Sequence, residues 1–209
     1  MGRTRRRNHS SSLRGGNDFR RPRERNPQLA VVRWILDDGP LGYLAQLPNP
    51  AVLASCEPGE LLVSSTTAHL AAKDRSGRRQ AVVALTHADG LPVIAVVTVT
   101  LGVDEPAAKM LADLHPDESA TLNLAEHESI AWAAMHGRDA VFVTSDRRAT
   151  VSALAELGVG RVAHPFDLWL HLKLERGLSG GDFESLCEAT RRGDQGLRRM
   201  PARVSQHFG

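Results

Sequence analysis

The sequence predicts an α/β fold in which a parallel sheet is covered by helices on both faces. Short runs of apolar and β-branched residues at 31–37, 92–100 and 140–144 are typical of buried strands. The segments between them carry apolar residues at helical spacing, and strands that alternate with helices favour a parallel sheet. With 209 residues, of which 42% are hydrophobic, the chain is long enough to form one core.

The first half of the chain begins its predicted fold with a strand that ends in two acids. The apolar run at 31–37 finishes at Asp37 and Asp38, and Gly39-Pro40 then forces a turn. Prolines at 48 and 50 stop the helix that follows, and Ser64 is a residue type that caps a helix start. We predict strands at 31–37, 60–64 and 92–100 and helices at 40–47, 65–72, 78–88 and 105–114.

The second half continues the same alternation. Residues 122–134 have high helix propensity, Gly137 ends that helix, and the next apolar run again finishes at an acid, Asp146. We predict strands at 140–144 and 161–163 and helices at 122–134, 147–157, 165–176 and 179–193. Residues 179–209 are interpreted as a C-terminal helix followed by a basic tail.

Residues 1–28 form a separate Arg-rich segment that we interpret as a disordered tail. Nine arginines against two acidic residues give residues 1–27 a net charge of +7, whereas the rest of the chain carries −5. High charge with few apolar residues favours disorder. Two interpretations of the tail stay open: an arm that binds RNA or an acidic partner through arginine, and a dispensable extension.

The composition argues against several classes of protein. Cys56 and Cys187 have the spacing of neither a disulfide framework nor a zinc site, which fits the reducing cytoplasm. No apolar run approaches the roughly 18 residues of a membrane span, and no apolar core of an export signal follows the basic start. We therefore expect a cytoplasmic protein that does not enter a membrane.

Three acidic residues stand out by their positions. Asp37 and Asp146 each follow an apolar strand, and Glu126 lies on the apolar face of helix 122–134. The carboxyl ends of parallel strands form the edge where open α/β sheets bind ligands. Carboxylates without Lys or Arg beside them repel one another unless a divalent cation lies between them, and oxygen ligands suit Mg²⁺ or Mn²⁺. Such a site can hydrolyse a phosphodiester.

These residues resemble the motifs of the PIN domain family, the fold of the VapC-type toxin ribonucleases. The resemblance is closest to the branch whose first motif is Asp-x-Gly-Pro-Leu, found here at 37–41. That branch has a helix motif Gly-Glu-x-Glu-x-Ile, matched by 125–130 with Ala125 in place of glycine. Its later strand ends in acids followed by basic residues, as at 143–148, and the resemblance covers residues 31–178 in order.

The resemblance implies a Rossmann-like three-layer α/β/α sandwich with a mainly parallel sheet, here a PIN-like domain over residues 29–178. It implies a Mg²⁺- or Mn²⁺-dependent endoribonuclease with RNA as substrate. Asp37, Glu126 and Asp146 would then be both the catalytic residues and the metal ligands. It further implies the toxin of a toxin–antitoxin pair, neutralised by an antitoxin protein, and a homodimer, since members of the family often dimerise.

Each principal acid except Asp37 also has a plainer structural interpretation. Asn123-x-x-Glu126 fits a capping box, which would place Glu126 in the first turn of its helix for local reasons. Asp146 fits a cap of the helix that follows it. Asp37 has no such explanation, because an acid at the end of a buried strand is costly without a partner.

Three further acids are secondary candidates for the site: Asp38, Glu128 and Asp167. Asp38 fits a helix N-cap as well as a ligand. Glu128 shares a helix face with Trp132 and is expected to support the site or to lie at the surface. Asp167 follows Pro165 and fits a helix cap better than a ligand.

Departures from the family pattern keep a second function open, among them Ala125 in place of glycine and Ser145 where relatives can carry an acid. Members often carry a fourth acid shortly after the third, and here Arg148 stands two residues after Asp146. The alternative hypothesis is a catalytically inactive PIN-like module that binds RNA or a protein, with the Arg-rich tail supplying affinity.

Overall fold

The computed structural model describes residues 32–100, 102–117 and 122–194, so the predicted tail 1–28 and the end of segment 179–209 lie outside the described residues. Within these ranges the strands β1 to β5 are Arg33–Leu36, Leu61–Ser64, Ile94–Val97, Ala140–Val143 and Val162–Ala163. The helices α1 to α8 are Asp38–Leu44, Ser65–Ala72, Arg78–Val83, Glu105–Leu114, Leu124–Met135, Arg147–Leu157, Pro165–Glu175 and Gly180–Gly193. None of the described helices is long and apolar enough to span a bilayer.

The five described strands form one parallel sheet in the order β3–β2–β1–β4–β5. The central strand is β1, which pairs with β2 on one side, Leu36 opposite Val63, and with β4 on the other, Leu36 opposite Val143. The chain builds outward from β1 through β2 and β3, and then crosses back to add β4 and β5. A parallel sheet opens a crevice where the strand order reverses, and here that point is the carboxyl end of β1 and β4.

Helices cover both faces of the sheet, so the predicted three-layer α/β/α sandwich is confirmed. Successive side chains of β1 point to opposite faces. Trp34 and Leu36 join the core formed with α1, α3, α7 and α8, whereas Ile35 joins the core formed with α5 and α6. Burial of apolar side chains on both faces explains why the strands are apolar throughout rather than alternating.

Most predicted elements are found within a few residues of their expected bounds, with two clear differences. The helix expected at 78–88 ends at Val83, because Val93 N donates to Leu85 O at 2.9 Å and folds the chain back toward β3. A 3₁₀ helix, Pro50–Ser55, was not predicted. Pro50 was interpreted only as a helix stop, but proline also fits the first position of a helix.

The helix predicted at 179–193 belongs to the same core as the sheet. In α8, Leu186 and Cys187 are buried in the core cluster on the α1 face. Trp169 of α7 donates its indole N–H to Thr190 Oγ1 at 2.9 Å. The predicted C-terminal segment 179–209 therefore begins with a helix that packs within the domain.

The amino-terminal edge of the sheet contains a fully buried carboxylate with a complete set of partners. Glu60, directly before β2, lies 2.6 Å from His171 Nε2 and accepts a hydrogen bond from Arg176 Nε at 2.8 Å. Its Oε2 also accepts from Glu57 N at 2.7 Å. The bond to Glu60 raises the pKa of the Arg176 guanidinium. Because both oxygens of the Glu60 carboxylate have hydrogen-bond partners, this buried charge fixes the end of α7 against β2.

We predict that Glu60→Ala lowers the free energy of unfolding by about 3 to 5 kcal/mol, because it leaves Arg176 without its buried partner. Urea denaturation followed by circular dichroism measures the change. Glu57→Ala is the matched control, since the Glu57 carboxylate is 55% exposed and lies 3.4 Å from Arg176 Nη1. That control should cost less than about 1 kcal/mol. Equal losses in the two variants would contradict the structural role assigned to Glu60.

Candidate functional site

The carboxyl ends of β1 and β4 bring Asp37 and Asp146 to the same edge of the sheet. Strand pairing continues one residue beyond β1, because Asp37 N donates to Val143 O at 3.1 Å. Thr144 lies between the two acids. Its hydroxyl donates to Asp37 Oδ2 at 2.7 Å and accepts from Asp146 N at 3.0 Å. One hydroxyl thus connects the side chain of one acid to the backbone of the other.

Asp37 is half-buried, and hydrogen bonds hold both of its carboxylate oxygens. Oδ1 accepts from Asp38 N at 2.7 Å, so Asp37 is the N-cap of α1. Burial raises the pKa of Asp37 above its usual value, and the nearby charges of Asp38 and Asp146 raise it further. The bonds from Thr144 and Asp38 N act in the opposite direction. A carboxylate that is costly to ionise beside other acids is typical of functional sites.

Asp146 caps a helix, as its plainer interpretation predicted. Its Oδ1 accepts from Arg148 N at 2.6 Å and from Ala149 N at 3.1 Å at the start of α6. Capping does not separate Asp146 from the other acids, because its charge contributes to the raised pKa of both Asp37 and Glu126. Asp146 therefore caps α6 and is part of the acidic cluster at the same time.

Glu126 reaches this cluster from α5, which packs across the other face of β1 and β4. Its side chain is buried, with 8% of the residue exposed. Burial, followed by the charges of Asp37 and Asp146, raises the pKa of Glu126 to about 7, and a hydrogen bond with Ser152 lowers it only in part. Glu126 is thus coupled by charge to both aspartates.

The capping-box interpretation of Glu126 is wrong. Asn123 is the N-cap of α5, but its side chain makes no capping hydrogen bond. Its backbone has φ of 64°, a left-handed conformation that asparagine tolerates better than most residues. The side chain of Asn123 therefore does not account for a carboxylate at position 126, which lies instead beside the like charges of Asp37 and Asp146.

Over the described ranges of the chain, no Lys or Arg lowers the pKa of Asp37 or Glu126. Hydrogen bonds oppose the rise in both pKa values. Carboxylate oxygens without a balancing cation are the donors that hard divalent cations prefer. Among the described residues, no three His, Cys, Asp or Glu side chains stand close enough together to hold a metal ion as they are. The chemistry of the donors fits Mg²⁺ or Mn²⁺, whereas the side chains have not closed on one point.

The expectation that Asp38 is a helix N-cap is wrong. The N-cap of α1 is Asp37, and Asp38 is the first residue within the helix. Its Oδ1 accepts from Arg79 Nη1 of α3 at 2.8 Å, which neutralises the charge of Asp38. The sequence did not reveal this partner, because 41 residues separate the two side chains.

Glu128 is buried, so the expectation that allowed it a surface position is wrong. Its carboxylate accepts from Ser65 Oγ at 2.6 Å, from Thr66 N at 2.9 Å and from Val99 N at 3.4 Å. These bonds tie α5 to the start of α2 and to the segment after β3. Glu128 thereby fixes the first turn of α5, two residues from Glu126.

Asp167 is a helix cap, in agreement with its plainer interpretation. Its Oδ2 accepts from His164 N at 3.0 Å, and the two residues form a capping box at the start of α7. This use of the carboxylate is local to α7 and explains why an acid occurs there.

Two residues beside the acids were not proposed as site residues from the sequence. Thr144 bridges Asp37 and Asp146, and the available signal was a hydroxyl residue directly between an apolar strand and an acid. Ser145 lies 3.2 Å from the Tyr43 hydroxyl and packs over Gly39, where a Cβ would come within 3.3 Å of the serine oxygen. Both contacts cross about one hundred residues of chain, so local pattern did not indicate them.

Comparison with known proteins adds no family to this description. No family model matches the chain, and no curated protein or solved structure is similar enough to count as a match.

We predict that Thr144→Val raises the pKa of Asp37, because it removes the side-chain hydrogen bond that lowers it. The same change should lower the free energy of unfolding by about 2 kcal/mol, since the bond goes to a charged acceptor. Carboxyl-detected NMR titration and urea denaturation measure the two effects. Thr150→Val removes a hydroxyl that donates to Asp146 O within α6, and should leave the Asp37 pKa unchanged. A Thr144→Val variant with wild-type Asp37 titration would contradict this role.

We also predict that Glu126 makes the protein less stable as the pH rises. Its pKa in the folded protein is about 7, above the ordinary 4.5, so the folded state binds more protons between these values. Stability from this group is therefore full below pH 4.5 and is lost as the pH rises through 7. Glu126→Gln should exceed the wild type in unfolding free energy by about 1 to 3 kcal/mol at pH 8 and should match it near pH 4.

Urea denaturation at both pH values measures this difference. The matched control is Glu128→Gln, which should be less stable than the wild type, because the Glu128 carboxylate accepts three hydrogen bonds. A Glu126→Gln variant that is destabilised at pH 8 would mean that the ionised carboxylate has a compensating partner.

Proposed function

We propose that this protein is a PIN-type endoribonuclease that depends on Mg²⁺ or Mn²⁺. The observation that carries the proposal is the electrostatic coupling of Asp37, Glu126 and Asp146, three carboxylates from separate parts of the chain, at the carboxyl edge of the sheet. Within the part of the chain that the structure describes, no lysine or arginine balances the charges of Asp37 and Glu126. Such an arrangement is unfavourable for stability and is retained where a divalent cation uses it.

In this proposal Asp37, Glu126 and Asp146 hold the cation. A divalent cation at a phosphodiester supplies charge stabilisation and lowers the pKa of water. Thr144 keeps Asp37 oriented through its bond to Oδ2, and the backbone N–H groups of Arg148 and Ala149 keep Asp146 oriented. Asp37 and Asp146 are thus held by hydrogen bonds before a ligand arrives, which limits how far these two side chains must reorganise on binding.

Glu126 can change its protonation state near neutral pH. Its pKa of about 7 means that the protonated and ionised forms are both populated near physiological pH. In the absence of a cation it can hold a proton, which relieves the repulsion from Asp37 and Asp146. Cation binding favours the ionised form, so binding should release a proton and should strengthen as the pH rises.

The wider setting belongs to the proposal as well. By its resemblance to VapC-type toxins, the protein would act on RNA in the cytoplasm, would be neutralised by an antitoxin protein and would form a homodimer. The nine arginines of residues 1–27 would add affinity for RNA through phosphate contacts.

A second candidate function is an inactive PIN-like module that binds RNA or protein. Two observations favour it: Arg148 stands where relatives often have a further acid, and no metal-holding group is formed by the described side chains as they are. This candidate keeps the fold and the acidic edge but assigns no cleavage to them.

We predict that Asp37→Asn lowers the rate of Mn²⁺-dependent RNA cleavage by at least about 100-fold, since even changes behind a metal ligand cost 10- to 100-fold. Circular dichroism should be unchanged, because the substitution removes a charge from an already repulsive cluster. Gel analysis of a labelled RNA measures the rate, and calorimetric titration with Mn²⁺ measures binding to the wild type and the variant. The wild type should bind Mn²⁺ and the variant should not.

The matched control for this experiment is Asp89→Asn. Asp89 lies in an exposed turn, where its carboxylate accepts from Leu91 N at 3.1 Å, and it is not one of the acids of the proposed site. The Asp89→Asn variant should cleave RNA at the wild-type rate. Equal cleavage by Asp37→Asn would contradict the nuclease proposal. An absence of Mn²⁺ binding, with RNA affinity that disappears on deletion of residues 1–27, would favour the inactive module.

A further inference from the structure

A cleft of about 300 Å³ lies between α1 and α3, and one of its lining residues, Arg79, bonds to Asp38, the neighbour of Asp37. We call it the arginine cleft. Its lining comes from α1 and the residues that follow it, and from the turn and start of α3: Gly42, Ala45, Gln46, Asp74, Ser76, Arg78 and Arg79. The acidic edge and the arginine cleft are therefore neighbours with opposite charge.

Arg79 is seated in this cleft by contacts that fix its guanidinium. Its Nη1 donates to Asp38 Oδ1 at 2.8 Å. The other side of the guanidinium lies against Gly42, where a Cβ would come within 3.0 Å of Nη2 and 3.3 Å of Nε. Gly42 thus gives Arg79 room to lie along α1, and Asp38 directs it toward the acidic edge.

The bond between Arg79 and Asp38 is weak enough to be exchanged. The two side chains are 33% and 38% exposed, and ion pairs at this exposure contribute less than about 1 kcal/mol. A phosphate, in contrast, accepts two parallel hydrogen bonds from a guanidinium. A phosphate that enters the cleft can therefore displace the Asp38 carboxylate from Arg79.

The remaining charges of the cleft also favour an anion. Arg78 is exposed at its wall, and Arg192 of α8 reaches Gln46 Oε1 at 3.5 Å on its rim. Asp74 is the one carboxylate among the residues that line the cleft, and it accepts from Ser76 Oγ at 2.6 Å and from Ser76 N at 3.3 Å. These bonds lower the pKa of Asp74, and the charge of Arg79 lowers it further, so Arg79 has a second acidic neighbour besides Asp38.

We propose that the arginine cleft binds a backbone phosphate of a nucleic-acid strand next to the bond that is hydrolysed at the acidic edge. Arg79 is the residue that binds the phosphate, and Asp38 holds Arg79 in position when the cleft is empty. The inference rests on the proposed nuclease function for the identity of the strand. It assigns Asp38 a role different from that of a metal ligand.

Binding of a short, fluorescently labelled 2′-O-methyl RNA tests this proposal with the full-length protein in EDTA, where no cleavage occurs. Fluorescence anisotropy gives the Kd over a series of salt concentrations. Arg79→Gln should weaken binding about 10-fold. It should also reduce the slope of log Kd against log salt concentration by about one, because one phosphate contact is lost. Arg75→Gln is the matched control, because Arg75 is exposed on the same turn but does not line the cleft. It should change the Kd by no more than about twofold.

A variant with unchanged charge tests whether RNA binds in the arginine cleft itself or only through the overall positive charge of the protein. Gly42→Val fills the space beside Arg79 and should weaken RNA binding without any change in net charge. Circular dichroism checks that α1 is retained, which we expect because glycine is the weakest helix former after proline. Asp38→Asn should strengthen binding, and that gain should disappear in the Asp38→Asn/Arg79→Gln double variant.

The outcomes distinguish failure of the cleft from failure of the nuclease. Equal losses for Arg79→Gln and Arg75→Gln, or no loss for Arg79→Gln, would overturn the cleft even if the wild type cleaves RNA with Mn²⁺. A loss specific to Arg79→Gln and Gly42→Val supports the cleft even if no cleavage is found. Displacement of the RNA by poly-glutamate at equal potency would indicate a carboxylate-bearing partner and would also overturn the proposal.

Discussion

The pairing of β1 with β4 is the constraint on which the acidic edge depends. Because the two strands are parallel neighbours in register, both must end at the same level, and Asp37 and Asp146 are brought together whatever their charges. Thr144 partly offsets the cost of placing the two acids together, because it donates to Asp37 Oδ2 and accepts from Asp146 N. The sheet core supplies the free energy that holds the repulsive side chains in place.

Buried carboxylates at the two edges of the sheet have neighbours of opposite charge. At the amino-terminal edge, Glu60 is fully buried but is matched by His171 and Arg176, so it fastens the fold. At the carboxyl edge, Glu126 is buried beside two further acids, and its pKa rises to about 7. Burial alone therefore does not identify a functional acid. The balance of charge around the buried group distinguishes a structural carboxylate from a candidate for catalysis.

A second division lies within the carboxyl edge itself. Asp37 and Asp38 are consecutive, yet they face different surroundings: Asp37 turns toward Thr144, and Asp38 turns toward Arg79. Because α1 begins between the two residues, their side chains point to separate sites. The acidic cluster and the arginine cleft are thus adjacent parts of one surface, one bearing carboxylates and the other guanidinium groups.

The sequence by itself determined the layered α/β fold, most element positions and the three principal acids, because strand and helix periodicity and strand-end acids are local signals. Tertiary structure decided the rest. The N-cap of α1 is Asp37 rather than Asp38, Glu128 is buried, and Asn123 forms no capping box with Glu126. Each of these depends on a partner far along the chain or on the conformation of a single residue. Sequence periodicity does not indicate such contacts. It shows which face of a helix or strand is apolar, but not which side chain of a neighbouring element lies against that face.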